Sequence, residues 1–146
     1  MKKLIQSATT IMILSTWVFF SAFTQGMDFI ILPANTPVII NLENSVDEEK
    51  VSVGQIIKFT VEQSVIINYQ KIISANASAY GKVTQKEVGE ITIEMKWVQA
   101  VDDTQVPITG VLKKEKACRK CRAVIESGTK IEALVKENIK VLLSAH

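Results

Sequence analysis

The residues whose types and spacing could do chemistry are the two cysteines, Cys118 and Cys121, which are separated by Arg119 and Lys120. In an oxidising compartment, a disulfide is the expected state of such a pair. Residues three apart on a strand are about 10 Å apart and point to opposite faces, which is beyond the reach of a disulfide. A turn at Arg119 and Lys120 would bring the ends within about 7 Å. We therefore predict a disulfide-clipped hairpin tip.

Three other interpretations of the cysteine pair are weaker. A thioredoxin-type redox site requires the first cysteine at the start of a helix, whereas β patterns flank Cys118; the neighbouring cations would nevertheless stabilise a thiolate. A zinc site would need two further ligands, which only a second copy of the chain could supply. Haem attachment fails because Arg122 occupies the position that requires histidine.

Six basic residues surround the cysteines and give this segment a local positive charge. Lysine and arginine clustered on a protruding tip create a positive field. The segment is therefore predicted to bind anionic lipid or polysaccharide, with an exposed solubilising loop as the equally consistent alternative. The candidate anion-binding residues are Lys113, Lys114, Lys116, Arg119, Lys120 and Arg122.

No catalytic constellation is indicated elsewhere. The only histidine, His146, is the last residue, which excludes histidine-based triads and metal clusters at a buried site. Carboxylates at 43, 47–49 and 102–103 lie in turn-like polar stretches, which is typical of solvated loops. Their spacing does not fit a calcium loop, and no Gly-rich phosphate loop is present. We predict a protein that is not an enzyme and has no metal site or cofactor.

The N-terminal segment has the three-part order of a secretory signal peptide. Lys2 and Lys3 precede a mostly apolar run over residues 11–20, and small and polar residues follow over 21–26. An uncleaved membrane anchor is the alternative, but the apolar core is shorter than the roughly 20 residues that a bilayer span needs. We predict a signal peptide over residues 1–26 of an exported bacterial protein of the periplasm, the outer envelope or the cell exterior.

Residues 27–146 are predicted to form one β-rich domain. Without residues 1–26 the chain keeps 15 basic and 15 acidic residues, so its net charge of zero gives no indication of nucleic acid as a partner. Trp97 is the only tryptophan in this part, and the few aromatic residues offer no stacking platform for single-stranded nucleic acid. A domain of this length can bury a core without staples.

Apolar residues in this domain recur mostly at period two or in short Val- and Ile-rich runs, which indicates strands. Residues 131–143 fit either a helix or two strands, and we predict strands. Short strands with frequent turns favour a small barrel or sandwich of about 8–10 mainly antiparallel strands. The predicted strands are 36–42, 55–61, 64–68, 71–74, 78–83, 90–99, 105–112, 123–126 and 130–136.

One loose pattern of seven residues occurs three times, at 32–38, 73–79 and 125–131. Its centre is Asn35, Asn76 or Gly128, residue types that tolerate positive φ. Each copy is therefore predicted to make a tight bend that leads into a new strand.

The first copy begins Leu32-Pro33-Ala34-Asn35-Thr36, and segments 43–45, 53–54, 71–77, 90–97 and 101–108 follow it in a recognisable order. This order resembles the β-barrel domain of TrbI-type conjugal-transfer channel proteins of type IV secretion, and more closely small secreted bacterial β-proteins of unknown role. The resemblance covers about residues 31–110 and implies a barrel. The pore-forming insertion of the channel proteins has no counterpart, so the resemblance does not imply secretion activity.

These features together predict a non-enzymatic envelope or secreted β-domain for assembly or protein interaction. The expected partners are other envelope proteins or a second copy of the chain, bound by strand addition at an exposed sheet edge. The alternatives are a thiol-disulfide redox protein using Cys118 and Cys121, and a binder of anionic envelope ligands through residues 113–122. The sequence assigns no small-molecule ligand.

Overall fold

The computed structural model describes residues 28–143, so the predicted signal peptide and His146 lie outside the described residues. The described residues form strands and no helix, which confirms the all-β fold class. None of this range forms a helix able to cross a membrane. The strands are β1 (Phe29–Leu32), β2 (Pro37–Leu42), β3 (Val46–Asp47), β4 (Ile56–Val61), β5 (Val65–Ile67), β6 (Gln70–Ile73), β7 (Ser78–Glu87), β8 (Glu90–Gln99), β9 (Gln105–Thr109), β10 (Val111–Glu115), β11 (Val124–Ile125), β12 (Lys130–Val135) and β13 (Ile139–Leu142).

Six of these strands close into an antiparallel barrel. They pair in the order β8, β7, β4, β2, β12 and β9, and β9 pairs back to β8. β10 pairs with the first half of β8 and lies outside the closed ring. The predicted strand 105–112 is therefore two strands, because the chain leaves the ring at Gly110.

Apolar side chains fill the barrel. In β8, the alternation predicted from the sequence buries Ile91, Ile93 and Met95 between more exposed polar residues. Phe59 of β4 is fully buried, and burial of a side chain of this kind contributes about 1.5–3 kcal/mol. None of the polar or charged residues in the described range is buried as a whole, and Asn41 Oδ1 is a buried side-chain atom without a hydrogen-bond partner. Groups that could act on a ligand or partner therefore lie on the wall or at the ends of the barrel.

Two irregularities in the β7–β8 ladder help the sheet to curve. The register shifts between Tyr80 and Gly81 and again between Val83 and Gln85. Such bulges increase the local twist that barrel closure requires. At Gly81 a Cβ atom would lie 2.8 Å from Ile93 Cγ2, so the close approach of the two strands needs glycine.

The three predicted bends have the predicted backbone conformation. Asn35, Asn76 and Gly128 have φ values of 64°, 66° and 83°, in the left-handed region that asparagine and glycine tolerate best. The bends lead into β2, β7 and β12 respectively. The recurring seven-residue pattern is thus confirmed as a repeated structure.

Each bend holds the end of another strand through the same pair of backbone hydrogen bonds. At the first bend, the Asn35 N–H donates to Val135 O (2.7 Å) and the Val135 N–H donates to Thr36 O (3.0 Å). The other two bends hold Val61 and Leu42 in the same way. Their bonds are Asn76 N–H to Val61 O (2.7 Å), Val61 N–H to Ala77 O (2.9 Å), Gly128 N–H to Leu42 O (2.8 Å) and Leu42 N–H to Thr129 O (2.9 Å).

Short two-stranded ribbons complete this repeat. In each unit, the strand just before the bend pairs with a second short strand. This second strand begins four residues after the strand end that the bend holds. The resulting ribbons are β1–β13, β6–β5 and β11–β3. The domain therefore contains three copies of one unit, made of a ribbon, a bend and a barrel strand.

The sequence analysis does not predict β1 and β3. Their partners are distant in the sequence, since Phe29 lies opposite Leu142 and Asp47 lies opposite Val124. Strands of four and two residues have too little alternation to be recognised alone. The prediction of strands at the C-terminus is confirmed by β12 and β13.

Replacement of Gly128 by alanine tests the bend. The φ of Gly128 is +83°, and an added Cβ would meet nothing within 4 Å, so the substitution changes backbone strain without steric overlap. We expect Gly128→Ala to lower the free energy of unfolding by about 1–2 kcal/mol in urea denaturation. Gly128→Asn is the matched control and should cost less, because asparagine holds the same position in the other two bends. Equal losses would contradict this explanation.

Candidate functional site

The segment after β10 forms the predicted tip. The Cys121 N–H donates to Cys118 O (3.1 Å), which is the hydrogen bond of a four-residue turn centred on Arg119 and Lys120. The two sulfur atoms lie at bonding distance, with a Cα–Cα separation of 5.0 Å. Both cysteines are exposed. The predicted turn is confirmed, and we call residues 116–122 the disulfide turn.

Glu48 fastens the base of the disulfide turn to the barrel. Its carboxylate accepts hydrogen bonds from the backbone N–H groups of Ala123 (2.7 Å) and Gly89 (3.0 Å), and its own N–H donates to Ala123 O (3.1 Å). The bond from Ala123, followed by that from Gly89, lowers the pKa of Glu48 below its ordinary value. One ionised side chain therefore links the disulfide turn to the β7–β8 turn.

Two of the six candidate anion-binding residues are already paired with carboxylates. Lys113 Nζ lies 3.2 Å from Glu90 Oε1, and the hydrogen bond to Glu90 raises the pKa of Lys113. Arg122 lies 3.2 Å from Asp47 and 3.0 Å from Glu49. Arg122 thus ties the disulfide turn to Asp47 and Glu49, Lys113 joins β10 to β8, and both have less charge to offer an external anion.

The other four candidates make no ion pair, although Lys116 is half-buried against Gly89 and its charge contributes to the lowered pKa of Glu48. Within residues 28–143, no carboxylate lies within ion-pair distance of Lys114, Lys116, Arg119 or Lys120. Arg119 and Lys120 form the exposed centre of the disulfide turn. The predicted basic site is thus reduced to these four side chains.

An open groove of about 560 Å³ lies beside the base of the disulfide turn. Its lining includes Asp47, Arg122 and the start of β4 with the exposed Ile56. Ser45 also contacts the groove, but its hydroxyl makes no hydrogen bond to a base in the described part of the chain. The groove offers space for a ligand without joining a nucleophile to a base.

The opposite end of the barrel has a different character. The turn after β8 contacts the β6–β5 and β1–β13 ribbons there. The Val101 N–H donates to Ile72 O (3.0 Å), and the Leu142 N–H donates to Asp102 Oδ2 (2.9 Å). Large apolar side chains are exposed around these contacts, including Phe29 (50%) and Ile31 (52%). We call this surface the apolar end; its residues are Phe29, Ile31, Ile66, Tyr69, Val101 and Leu142.

The β1–β13 ribbon gives the apolar end a strand edge. Leu143 N–H donates to Asp28 O (2.8 Å), so every second residue of β1 directs its N–H and C=O toward β13. The backbone groups of Phe29 and Ile31 consequently point away, and β1 has no second strand partner among residues 28–143. This edge is not among the strands predicted from the sequence, and the apolar run 29–32 is the signal that could have indicated it.

The described part of the chain offers no fitting arrangement for a metal site or for a thioredoxin-type redox site. No three His, Cys, Asp or Glu side chains there are grouped to hold a metal ion. The cysteine pair lies on a turn between strands, so the helix start that a thioredoxin-type site requires is not its setting.

Comparison with protein-family models and with curated proteins found no match. The similarity to TrbI-type barrel domains therefore stays a prediction from the sequence.

Loss of the cysteine pair should have a small effect on stability. The pair closes a loop of only four residues, and the chain-entropy estimate for such a loop is about 2 kcal/mol. We expect the double variant Cys118→Ala, Cys121→Ala to lose no more than this in urea denaturation and to keep its β-sheet circular dichroism. A loss as large as the total stability would show that the disulfide turn supports the whole barrel.

Asp102 should make the apolar end sensitive to acid. Burial opposes ionisation of its carboxyl group, but hydrogen bonds from the Leu142 N–H and from Thr104 outweigh it and lower the pKa below the ordinary value of 3.8. The Asp102 carboxylate therefore binds a proton at a higher pH in the unfolded chain than in the folded chain. The stabilisation that ionised Asp102 gives the folded state is complete above the ordinary pKa. It is lost as the pH falls through the lower pKa that Asp102 has in the folded state.

We expect Asp102→Asn to lower the free energy of unfolding by about 1 kcal/mol at pH 7, since it removes a charge-assisted acceptor that solvent partly screens. The difference from the unmodified protein should shrink as the pH falls below 3.8. Urea denaturation across this range measures it. Asp103→Asn is the matched control, and a difference that is constant with pH would refute the role given to Asp102.

Proposed function

We propose that this chain is a non-enzymatic exported module of the bacterial cell envelope, or a secreted one, that serves assembly or protein interaction. The observation that carries the proposal is the apolar end, where a strand edge and exposed apolar side chains occur together. Phe29, Ile31 and Leu142 lie on one face of the β1–β13 ribbon, and contiguous exposed apolar surface on a small domain is typical of an interaction site. The proposed partners are other envelope proteins or a second copy of the chain.

The β1 edge supports this proposal by offering two kinds of interaction at once. An added strand would satisfy the outward backbone groups of Phe29 and Ile31, which gives affinity through main-chain hydrogen bonds. Side chains of the same strand would pack beside Phe29 and Ile31 and remove apolar area from water. Lys140 lies over the Phe29 ring at 4.3 Å from its centroid and would border such a contact.

Two alternatives have weaker support. Binding of anionic lipid or polysaccharide is favoured by the four unpaired cations at and near the disulfide turn. A thiol-disulfide redox function is favoured by the exposure of Cys118 and Cys121 alone. Each rests on one property of the same turn, whereas the apolar end combines an edge and an apolar surface.

Photo-cross-linking in cells tests the proposal. A photoreactive p-benzoylphenylalanine placed at Ile31 should give discrete cross-linked products of higher mass from envelope fractions. The matched control is the same substitution at Val53, a 61% exposed apolar residue at the opposite end of the barrel. Phe29→Glu, combined with the Ile31 probe, should remove the products by placing charge in the contact.

A protein that stays monomeric in envelope fractions and gives no product at Ile31 would contradict the proposed function. Equal products at Ile31 and Val53 would also contradict it, because they would indicate random encounter rather than a defined surface.

A further inference from the structure

A second strand edge lies on the barrel wall, at β10. Met95 N–H donates to Gly110 O (2.8 Å) and Lys116 N–H donates to Gly89 O (2.7 Å), so the even-numbered residues of β10 face β8. The backbone N–H and C=O groups of Val111 and Lys113 therefore point away from β8. β10 is the last strand of its sheet and has no partner on this side among the described residues.

The first part of β12 pairs with β2 on one side and has no strand partner on the side that faces this edge. β12 joins β9 through only two residue pairs, Leu134 with Thr109 and Val135 with Ile108. Val135 N–H donates to Thr36 O, so odd-numbered residues of β12 face β2, and the backbone groups of Lys130 and Glu132 point toward β10. Beyond Gly110 the barrel wall is thus an open seam between β10 and β12.

The seam has an apolar floor and leads to unpaired positive charge. A cavity of about 140 Å³ opens there, with Leu112, Val124 and Ile125 in its lining and Lys114 beside them. Val111, at the start of the edge, is 61% exposed. From β10 the chain runs directly into the disulfide turn, where Arg119 and Lys120 are exposed and have no ion pair in the described range.

We propose that the β10 edge binds an extended segment of a partner protein, apolar in the part beside Val111 and acidic in the part that reaches the disulfide turn. This inference rests on the proposed function as an interaction module. It names the chemistry of a partner for a second surface of the domain. An acidic segment is favoured because Arg119 and Lys120 are exposed at one end of the seam and make no ion pair in the described range, whereas Lys114 shares the cavity lining with Glu126. The disulfide turn holds two of these cations next to the end of the added strand.

Binding of a synthetic peptide tests this proposal. The probe is a fluorescent peptide with an alternating valine and threonine half followed by a glutamate-rich half, and its binding to the full-length protein is measured by fluorescence anisotropy. We expect saturable binding that weakens with added salt, as an electrostatic contribution requires. A peptide with lysine in place of glutamate should bind at least about tenfold more weakly, which corresponds to one unit in log Kd.

Two changes separate strand addition from charge attraction alone. Val111→Pro removes one outward N–H group and leaves the ladder to β8 intact, as proline permits on a strand edge. N-methylation of alternate peptide residues removes the matching donors without altering the protein. Each change should weaken binding by about five- to tenfold.

A charge pair of variants completes the test. Lys120→Glu should weaken binding of the acidic peptide by about fivefold and reduce its salt dependence. Lys71→Glu is the matched control, since Lys71 is an exposed lysine at the other end of the barrel, and it should leave binding unchanged.

Loss of affinity in Lys120→Glu without any effect of Val111→Pro or of N-methylation would overturn the proposal and indicate a charge-only site for polyanions such as lipid head groups. Absence of saturable binding to the unmodified protein would also overturn it. Neither result would affect cross-linking at Ile31, so failure here is distinguishable from failure of the proposed function.

Discussion

When a strand ends inside a sheet, its last backbone N–H and C=O groups lose their ladder partners, and burying such groups unpaired costs about 1–3 kcal/mol each. In this barrel the strand ends at Leu42, Val61 and Val135 meet that constraint in one way. A bend with a residue at positive φ turns its own N–H toward the strand end and accepts a hydrogen bond in return. The chain can then leave the sheet without leaving these backbone groups unpaired, and it continues directly into one of the short ribbons.

The first and third units depend on each other. The first bend leads into β2, which ends at Leu42 and is held there by the third bend; the third bend leads into β12, which ends at Val135 and is held by the first bend. β2 and β12 are also direct neighbours in the barrel. Neither strand can be completed without the bend that precedes the other, so these two parts, about 90 residues apart in the chain, are expected to form together. The second unit holds Val61 at the end of β4 and has no reciprocal partner.

The features that the sequence predicts are those that local residue types determine. Asparagine or glycine at Asn35, Asn76 and Gly128 marks the bends, alternation marks β8, and spacing requires the turn between Cys118 and Cys121. The features that it does not predict depend on residues brought together by folding. Glu48 and Ala123 bond across 75 positions, and Arg122 meets Asp47 and Glu49 across a similar interval. For this reason a cluster of six cations in the sequence becomes two cations held in ion pairs and four without an ion pair among the described residues.

The same ribbon geometry gives the two ends of the barrel different chemistry. Each ribbon covers the core with one face and leaves its other face in water, so the residues on that outer face determine the character of the end. At the β1–β13 ribbon these are Phe29, Ile31 and Leu142, whose burial would contribute affinity. Near the β3–β11 ribbon, carboxylates tie down the disulfide turn and leave its remaining cations exposed, which favours orientation and rate of encounter over affinity. The proposed interaction module would therefore bind one partner by apolar area at one end and align another by charge at the opposite end.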